Sequence, residues 1–366
     1  MKIAIVTQSL LGNYGGILQN YALQTVLKRM KHSVVTVDYT LKNSLWRYFR
    51  HYIKYSIRKI TGKLHPTEVP PTRYRTRTKQ IDSFVQKHIT LTPKVDRYTP
   101  DLLESEKVQA VIVGSDQVWR PRYNQYLEDM FLRFTKNLSL KRIAYAASFG
   151  VDHWEFSKEQ TYNCRKLAAL FDAASVREES GILLCKEKLG INAVSVLDPT
   201  LLLHADDYAK LCENIPTAKE PFLVAYFLHS HHKKDVKAKY ELATKIAQQK
   251  NLALRILEAD NAQSIPIEEW LATFRDASMV ITESFHGTVF SIINHREFIS
   301  IGNKNRGIAR LSTLLGTLGL EKRLVSPLTF DDATLSLPSI DYENVDNCLD
   351  SLRKQSYDFL RHALTE

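Results

Sequence analysis

The chain has 366 residues, 44% hydrophobic and 25% charged, enough for two domains of ordinary size, each with its own core. Its net charge of +10 and pI near 9.2 favour anionic partners: nucleic acid, phosphorylated metabolites or an acidic membrane face. No run of about 18 apolar residues occurs, which excludes a membrane-spanning helix, and Cys164, Cys185, Cys212 and Cys348 form neither a C-x-x-C pair nor a disulfide framework, which argues against zinc and fits a reducing cytoplasm.

In chain order, Ile3–Thr7 reads as a first strand, and no small-residue cleavage site follows it to suggest a signal peptide. A loop (Gln8–Gly16), a helix (Ile17–Lys31) and a second strand (Ser33–Asp38) come next. The loop segment L-G-N-Y-G-G (Leu11–Gly16) lacks the G-x-G-x-x-G spacing of a dinucleotide site. Its glycines either bring backbone close to a ligand at the strand end or simply turn the chain. On the first reading Asn13, Tyr14, Gln19 and Asn20 are sugar contacts, with Gly15 supplying the close approach.

Residues 41–60 repeat Leu45, Phe49, Tyr52, Ile53, Ile57 and Ile60 at helical spacing, with Arg47, Arg50, Lys54 and Arg58 on other faces. Lys42–Lys63 carries no Asp or Glu. Such a stretch suits a peripheral contact with an anionic membrane, or a helix packed on its domain with a solvated basic face; nucleic acid is the least favoured partner. A proline-bearing linker (His65–Pro71) and a basic helix (Arg73–His88) follow. Strand Gln109–Gly114 ends in G-S-D-Q-V-W-R-P (Gly114–Pro121), where Ser115 can hold a phosphate, Asp116 can orient a sugar hydroxyl and Trp119 can stack on a sugar ring, unless the segment is a plain turn. Strand Arg142–Ala147, helix Lys158–Phe171 and a short strand in Ala173–Gly181 lead to Arg177, either a bidentate partner for a carboxylate or phosphate or an ordinary ion pair with Glu178 or Glu179. Val194–Leu203 reads as a strand stopped by Asp198-Pro199.

The second half repeats the alternation: strands Phe222–Leu228, Leu252–Leu257, Ser278–Thr282 and Glu297–Ile301, with helices Lys233–Gln249, Pro266–Arg275 and His286–Asn294 between them. Loop Gly302–Arg310 offers the cations Lys304, Arg306 and Arg310, and 341–365 is a final amphipathic helix. His229, His231 and His232 lack a carboxylate or cysteine at ligand spacing, so they read as solvated loop residues and no metal is expected. The pattern predicts an α/β fold of two doubly wound Rossmann-like domains facing across a cleft, 1–205 and 206–340, with 341–366 as a C-terminal helix. Ser278–His295 (S-M-V-I-T-E-S-F-H-G-T-V-F-S-I-I-N-H) is its centre: a strand, a tight turn and a helix whose first residues include His286, the candidate for moving a proton. H-E-x-x-H, G-x-S-x-G and Walker A patterns are missing.

Six segments taken in order resemble the polysaccharide pyruvyl transferase family. They are N-Y-G-G-x-L-Q-N-Y-A-L (Asn13–Leu23), V-G-S-D-Q-V-W (Val113–Trp119), Y-A-A-S-F-G (Tyr145–Gly150), S-V-R-E-E-S (Ser175–Ser180), L-D-P-T-L-L-L (Leu197–Leu203) and T-E-S-F-H-G-T-V-F-S-I (Thr282–Ile292). The resemblance implies a GT-B-like fold and transfer of pyruvate from phosphoenolpyruvate, as a ketal, onto a sugar of a cell-surface (capsule or exopolysaccharide) precursor, often lipid-linked. It implies no cofactor beyond that donor, a cytoplasmic enzyme that can sit peripherally on the inner membrane face, and no nucleic-acid partner. His286 matches the family's general acid. Arg177 matches a donor-binding arginine, and Ser284, Gly287, Lys304, Arg306 and Arg310 complete the expected donor side. Asn13, Tyr14, Gly15, Gln19, Ser115, Asp116 and Trp119 fall on the acceptor side. Relatives resemble R-x-H-G where this chain has Ser284-Phe285-His286-Gly287, so the missing guanidinium must come from elsewhere. A nucleotide-sugar glycosyltransferase and a non-catalytic glycan- or lipid-binding subunit are the competing readings.

Overall fold

The computed structural model describes residues 1–39, 45–61, 71–124, 126–228, 233–258, 265–302, 308–326 and 337–365, without the side chains of 45–51, 71–78, 233–236 and 258. The first sheet contains β1 (Lys2–Val6), β2 (Ser33–Thr36), β3 (Ala110–Asp116), β4 (Lys141–Ala147), β5 (Ala173–Val176) and β6 (Val194–Ser195), in the order β2-β1-β3-β4-β5-β6 with every pair parallel. Around it lie α1 (Tyr14–Arg29), α2 (Leu45–Ile60), α3 (Pro71–His88), α4 (Pro100–Ser105), α5 (Lys158–Ala168) and α6 (Glu179–Leu184). After α7 (Ala205–Ala209) comes the second sheet: β7 (Phe222–Phe227), β8 (Ala253–Glu258), β9 (Met279–Thr282), β10 (Glu297–Ile301) and β11 (Leu324–Val325), ordered β11-β10-β9-β7-β8 and again parallel. Its helices are α8 (Lys233–Gln249), α9 (Ile267–Asp276), α10 (Phe285–Ile293) and α11 (Ile308–Thr317), and α12 (Tyr342–Thr365) ends the described chain.

Helices on both faces of a parallel sheet bury its strands on both sides, which requires near-continuous apolar runs. A-V-I-V in β3 and F-L-V-A-Y-F in β7 meet that demand, and every residue of both strands is buried. Sequence order reverses between β1 and β3 in one sheet and between β7 and β9 in the other. Those reversals leave crevices outside the strands' carboxyl ends, and here the two crevices open into one cleft.

Three expectations are corrected. Helix α1 begins at Tyr14, not Ile17, so Gly15 and Gly16 belong to its first turn, where N–H groups are unsatisfied by the helix and weak helix formers are tolerated. Residues 196–203 do not continue a strand: β6 spans only Val194–Ser195, and Asp198 caps a 3₁₀ turn at Pro199–Leu202, accepting from the Thr200 N–H at 3.1 Å. Of the two readings of α2, the helix packed on its domain is not met by the described part of its apolar stripe, where Tyr52, Ile53, Ile57 and Ile60 are 49%, 41%, 55% and 85% exposed. The histidine cluster at 229–232, the 65–70 linker segment, Lys304 and Arg306 lie outside the described residues.

One apolar cluster joins the halves, running from Ile3, Tyr14 and Leu18 through Leu201 to Trp270, Phe285 and Phe290. Helix α12 returns to the first half: Phe359 packs on Tyr145, Arg353 Nε donates to the Leu201 carbonyl at 2.8 Å, and Ser356 Oγ accepts from the Leu197 N–H at 3.0 Å.

Candidate active site

The site grows from the β9–α10 turn. Ser284 is extended and caps α10, its hydroxyl accepting the Gly287 N–H at 3.3 Å, while its own N–H donates to Thr282 Oγ1 at 3.0 Å. Thr282 Oγ1 in turn donates to the Tyr226 carbonyl at 2.8 Å, and a Cβ on Gly287 would lie 2.4 Å from that oxygen. Ser284 and Gly287 therefore set the turn, and the turn aims His286.

His286 is 7% exposed. Its ring lies against the first turn of α1, where a Cβ added to Gly15 would come within 1.9 Å of Nδ1. Helix α1 thus meets the imidazole of the other half only because residue 15 is glycine. Gly15→Ala, though favourable by helix propensity, should cost about 1–3 kcal/mol by overpacking. Urea denaturation measures this, and an unchanged midpoint would deny the contact. On the other side His286 Nε2 stands 3.8 Å from Asp198 Oδ2, within ion-pair range but too far for a hydrogen bond, and it has no hydrogen-bond partner among the described residues.

Asp198 belongs to a buried charge network. Arg177 Nη1 donates to Asp198 Oδ2 at 2.6 Å, and Nη2 donates to Asp116 Oδ1 at 2.8 Å. Ser115 Oγ donates to Asp198 at 3.2 Å and Thr200 Oγ1 at 2.6 Å. Burial by itself would raise both carboxyls. For Asp198 the neighbouring imidazole of His286 and then the Arg177 guanidinium outweigh it, holding the group well below the usual carboxylate range; Asp116 is lowered too, by Arg177 first and then His286 and Arg310. Burial disfavours the charged Arg177, yet Asp116 and Asp198 leave its pKa raised. Arg310 is different. Burial and the adjacent Arg177 push it down to about 10, and both guanidinium groups lie over the Phe285 ring, at 5.5 Å for Arg310 and 4.9 Å for Arg177.

Of the residues predicted from sequence, Asn13, Tyr14, Gly15, Asp116, Ser284, His286 and Arg310 line one cavity of about 260 Å³. Asn13 Nδ2 donates to Asp116 Oδ2 at 3.4 Å, and Tyr14 OH donates to the Ile265 carbonyl at 2.6 Å while its ring stacks on Trp270. Four other residues take different positions. Trp119 is fully buried, stacked on Phe131 with Nε1–H donating to the Met130 carbonyl, so no face is left for a sugar ring. Gln19 and Ser115 are fully buried, tied to Thr7, Gly16 and each other. Both Nη groups of Arg177 are committed to carboxylates, so it holds the framework of the site and presents no free fork. Sequence reasoning passed over Glu283, Tyr226, Trp270 and Phe285, which also line the cavity, and Asp198 beside it. A signal existed for Ser284, since serine is among the strongest helix caps.

The cavity brings together the N-terminal turns of α1 and α10, a buried arginine and an imidazole. Helix N-termini attract anions, so the arrangement can hold a negatively charged small molecule beside a proton donor. The model of the family described as polysaccharide pyruvyl transferase matches residues 13–305. The chain belongs to the polysaccharide pyruvyl transferase family.

For a polysaccharide pyruvyl transferase the match covers most of the cavity lining, including His286 and the β9–α10 turn, and leaves Gly12 and Arg310 just outside it. Membership makes it a transferase of polysaccharide biosynthesis, acting on a glycan. No curated protein sequence matches the chain. Among solved structures it is similar to S. aureus MnaA in complex with UDP (11% identity, 98% of this chain and 90% of that one, TM-score 0.50). It is also similar to the UDP-GlcNAc 2-epimerase of Methanocaldococcus jannaschii (12% identity, 96% and 92%, TM-score 0.49). The first likeness supports the fold: this pyruvyl transferase family member has the GT-B-like arrangement of two Rossmann-like domains. Among the described residues no helix is long and apolar enough to cross a membrane.

Proposed function

We propose that the protein transfers pyruvate from phosphoenolpyruvate, as a ketal, onto two hydroxyls of a sugar in a lipid-linked surface-polysaccharide precursor. His286 serves as the general acid. The carrying observation is His286 Nε2, which faces no hydrogen-bond partner among the described residues while its ring sits in a cleft that also holds Arg310.

The chemistry asks for this combination. The methylene carbon of phosphoenolpyruvate gains a proton from His286, and the adjacent carbon becomes cationic. A sugar hydroxyl attacks that carbon and loses its proton. The second hydroxyl then displaces phosphate, closing the ketal and releasing its own proton. A positioned acid and fixed cations for the donor's carboxylate and phosphate are needed throughout. The guanidinium that relatives carry in R-x-H-G is replaced here by the Ser284 cap, and Arg310, near the start of α11, offers a substitute charge. Lys304 and Arg306, shortly before Arg310 in the sequence, are proposed as further donor contacts.

The test is phosphate release from phosphoenolpyruvate with and without a lipid-linked saccharide. Acceptor-dependent release is expected. Turnover of a nucleotide sugar with none of phosphoenolpyruvate would make the protein a glycosyltransferase instead, and inertness toward both would make it a binding subunit.

A lipid-linked acceptor also calls for a membrane surface, and α2 supports that reading. Exposed Ile53, Ile57 and Ile60 follow a helical stripe, with exposed Lys54, Arg58 and Lys59 beside them. Replacing those three cations with Gln should weaken binding to phosphatidylserine vesicles about a hundredfold, at roughly 1 kcal/mol per cation. Wild-type binding should fall as salt rises, because the attraction is screened. Salt-independent binding, or none, would remove α2 from the membrane.

A further inference from the structure

The wall of the cavity built by the second sheet carries polar groups that the proton-transfer chemistry does not use. Glu283, 7% exposed, follows β9 and accepts at Oε1 from the Leu228 N–H at 2.8 Å and from Lys239 Nζ. Both of these bonds fall on Oε1, and Glu283 lines the cavity. Lys239 is itself 3% exposed, so the contact between the two side chains is buried and fixes the carboxylate's orientation. Trp270, 1% exposed on α9, lines the same cavity, and its indole Nε1–H is a buried donor with no partner among the described residues. The ring is clamped between Tyr14, stacked at 5.7 Å, and Tyr226, edge-on at 5.6 Å. Buried polar groups without partners are costly and uncommon, which makes the Trp270 N–H in a wall shared with a buried carboxylate informative.

A carboxylate with a second oxygen to accept on and an unpartnered N–H donor match a group that donates and accepts at once, and a sugar hydroxyl is such a group. We infer that Glu283 and Trp270 form a hydroxyl-recognising subsite that binds the ring of the acceptor sugar, on the second-domain wall of the cleft. The inference deepens the pyruvyl transfer reading and rests on it for the identity of that sugar as the acceptor. Glu283 Oε2 takes the hydroxyl proton in a charge-assisted hydrogen bond, and Trp270 Nε1–H donates to a neighbouring oxygen. The cations serve the donor and the carboxylate serves the acceptor, so one cavity sorts an anionic from a neutral polyhydroxyl partner by charge.

Isothermal titration with a panel of methyl hexopyranosides tests this on the full chain, with phosphoenolpyruvate binding followed separately by intrinsic fluorescence. Glu283→Gln keeps the side chain's size and its oxygen for the Leu228 N–H. It should weaken the best wild-type hexoside at least tenfold and leave phosphoenolpyruvate affinity within twofold. Trp270→Phe, which removes only the donor and part of the ring, should weaken the same hexoside several-fold, and it decides the matter if Glu283→Gln fails to fold. A single deoxy analogue should bind wild type weakly and lose nothing further in Glu283→Gln. Hexoside binding unchanged in both variants, or no hexoside bound by wild type at tens of millimolar, would overturn the subsite. Hexoside binding that is lost in the variants of a protein that ignores phosphoenolpyruvate would keep the subsite and refute the pyruvyl donor.

Discussion

His286→Ala should lower kcat by about 10²–10⁴, the usual contribution of a positioned acid, while phosphoenolpyruvate still binds through Arg310 and the two helix N-termini. The histidine's Nε2 is neither bonded to nor spent on the framework among the described residues. Removing the side chain leaves a space beside Gly15 and takes one neighbour from Asp198, which retains Arg177, Ser115 and Thr200. The fold should therefore survive, and the loss should appear in kcat rather than in the melting curve. The limb of the pH–rate profile that reports the acid should vanish with the imidazole. An unaltered profile, or full turnover by the variant, would take the proton transfer away from His286.

Asp198→Asn should destabilise the folded protein by about 3–5 kcal/mol at neutral pH, because it leaves Arg177 buried against one carboxylate instead of two. Its effect has a definite pH signature. Asp198 is held below the usual carboxylate range when folded, so its contribution is complete above the unfolded value of about 4 and fades as pH falls toward the folded one. Wild type should thus lose stability steeply in acid below about pH 4, and Asp198→Asn should lose less over the same interval. Guanidinium denaturation across pH 2–7 measures both curves. Parallel curves, or a variant as stable as wild type at pH 7, would show that the Asp116–Arg177–Asp198 network is not what fastens 196–203 to the first sheet.

The architecture was legible because it rests on local signals. Parallel strands buried on both faces must be short continuous apolar runs, and A-V-I-V or F-L-V-A-Y-F admit little else. His286 was legible too, placed at a strand-to-helix junction where open α/β sheets keep their ligands. What escaped was long-range pairing. Arg177 reads equally as a free fork or a framework ion, and the choice is made by Asp198 and Asp116, 21 and 61 residues away. Trp119 likewise follows a strand end, and only the arrival of Phe131 and Phe149 turns it inward. Glu283 looked like a polar residue closing β9. Its meaning depends on Lys239, 44 residues earlier, which holds it in the cavity wall.

The proposed general acid and its surroundings come from opposite halves of the molecule. His286 follows the second sheet, whereas Gly15, which backs its ring, and Asp198, which faces Nε2, follow strands of the first. Any hinge motion that parts the sheets would strip the imidazole of both neighbours in one stroke. On the proposed reading the proton source is complete only while the two sheets stand together as described, so catalysis by His286 depends on how the halves are held as well as on the residue itself.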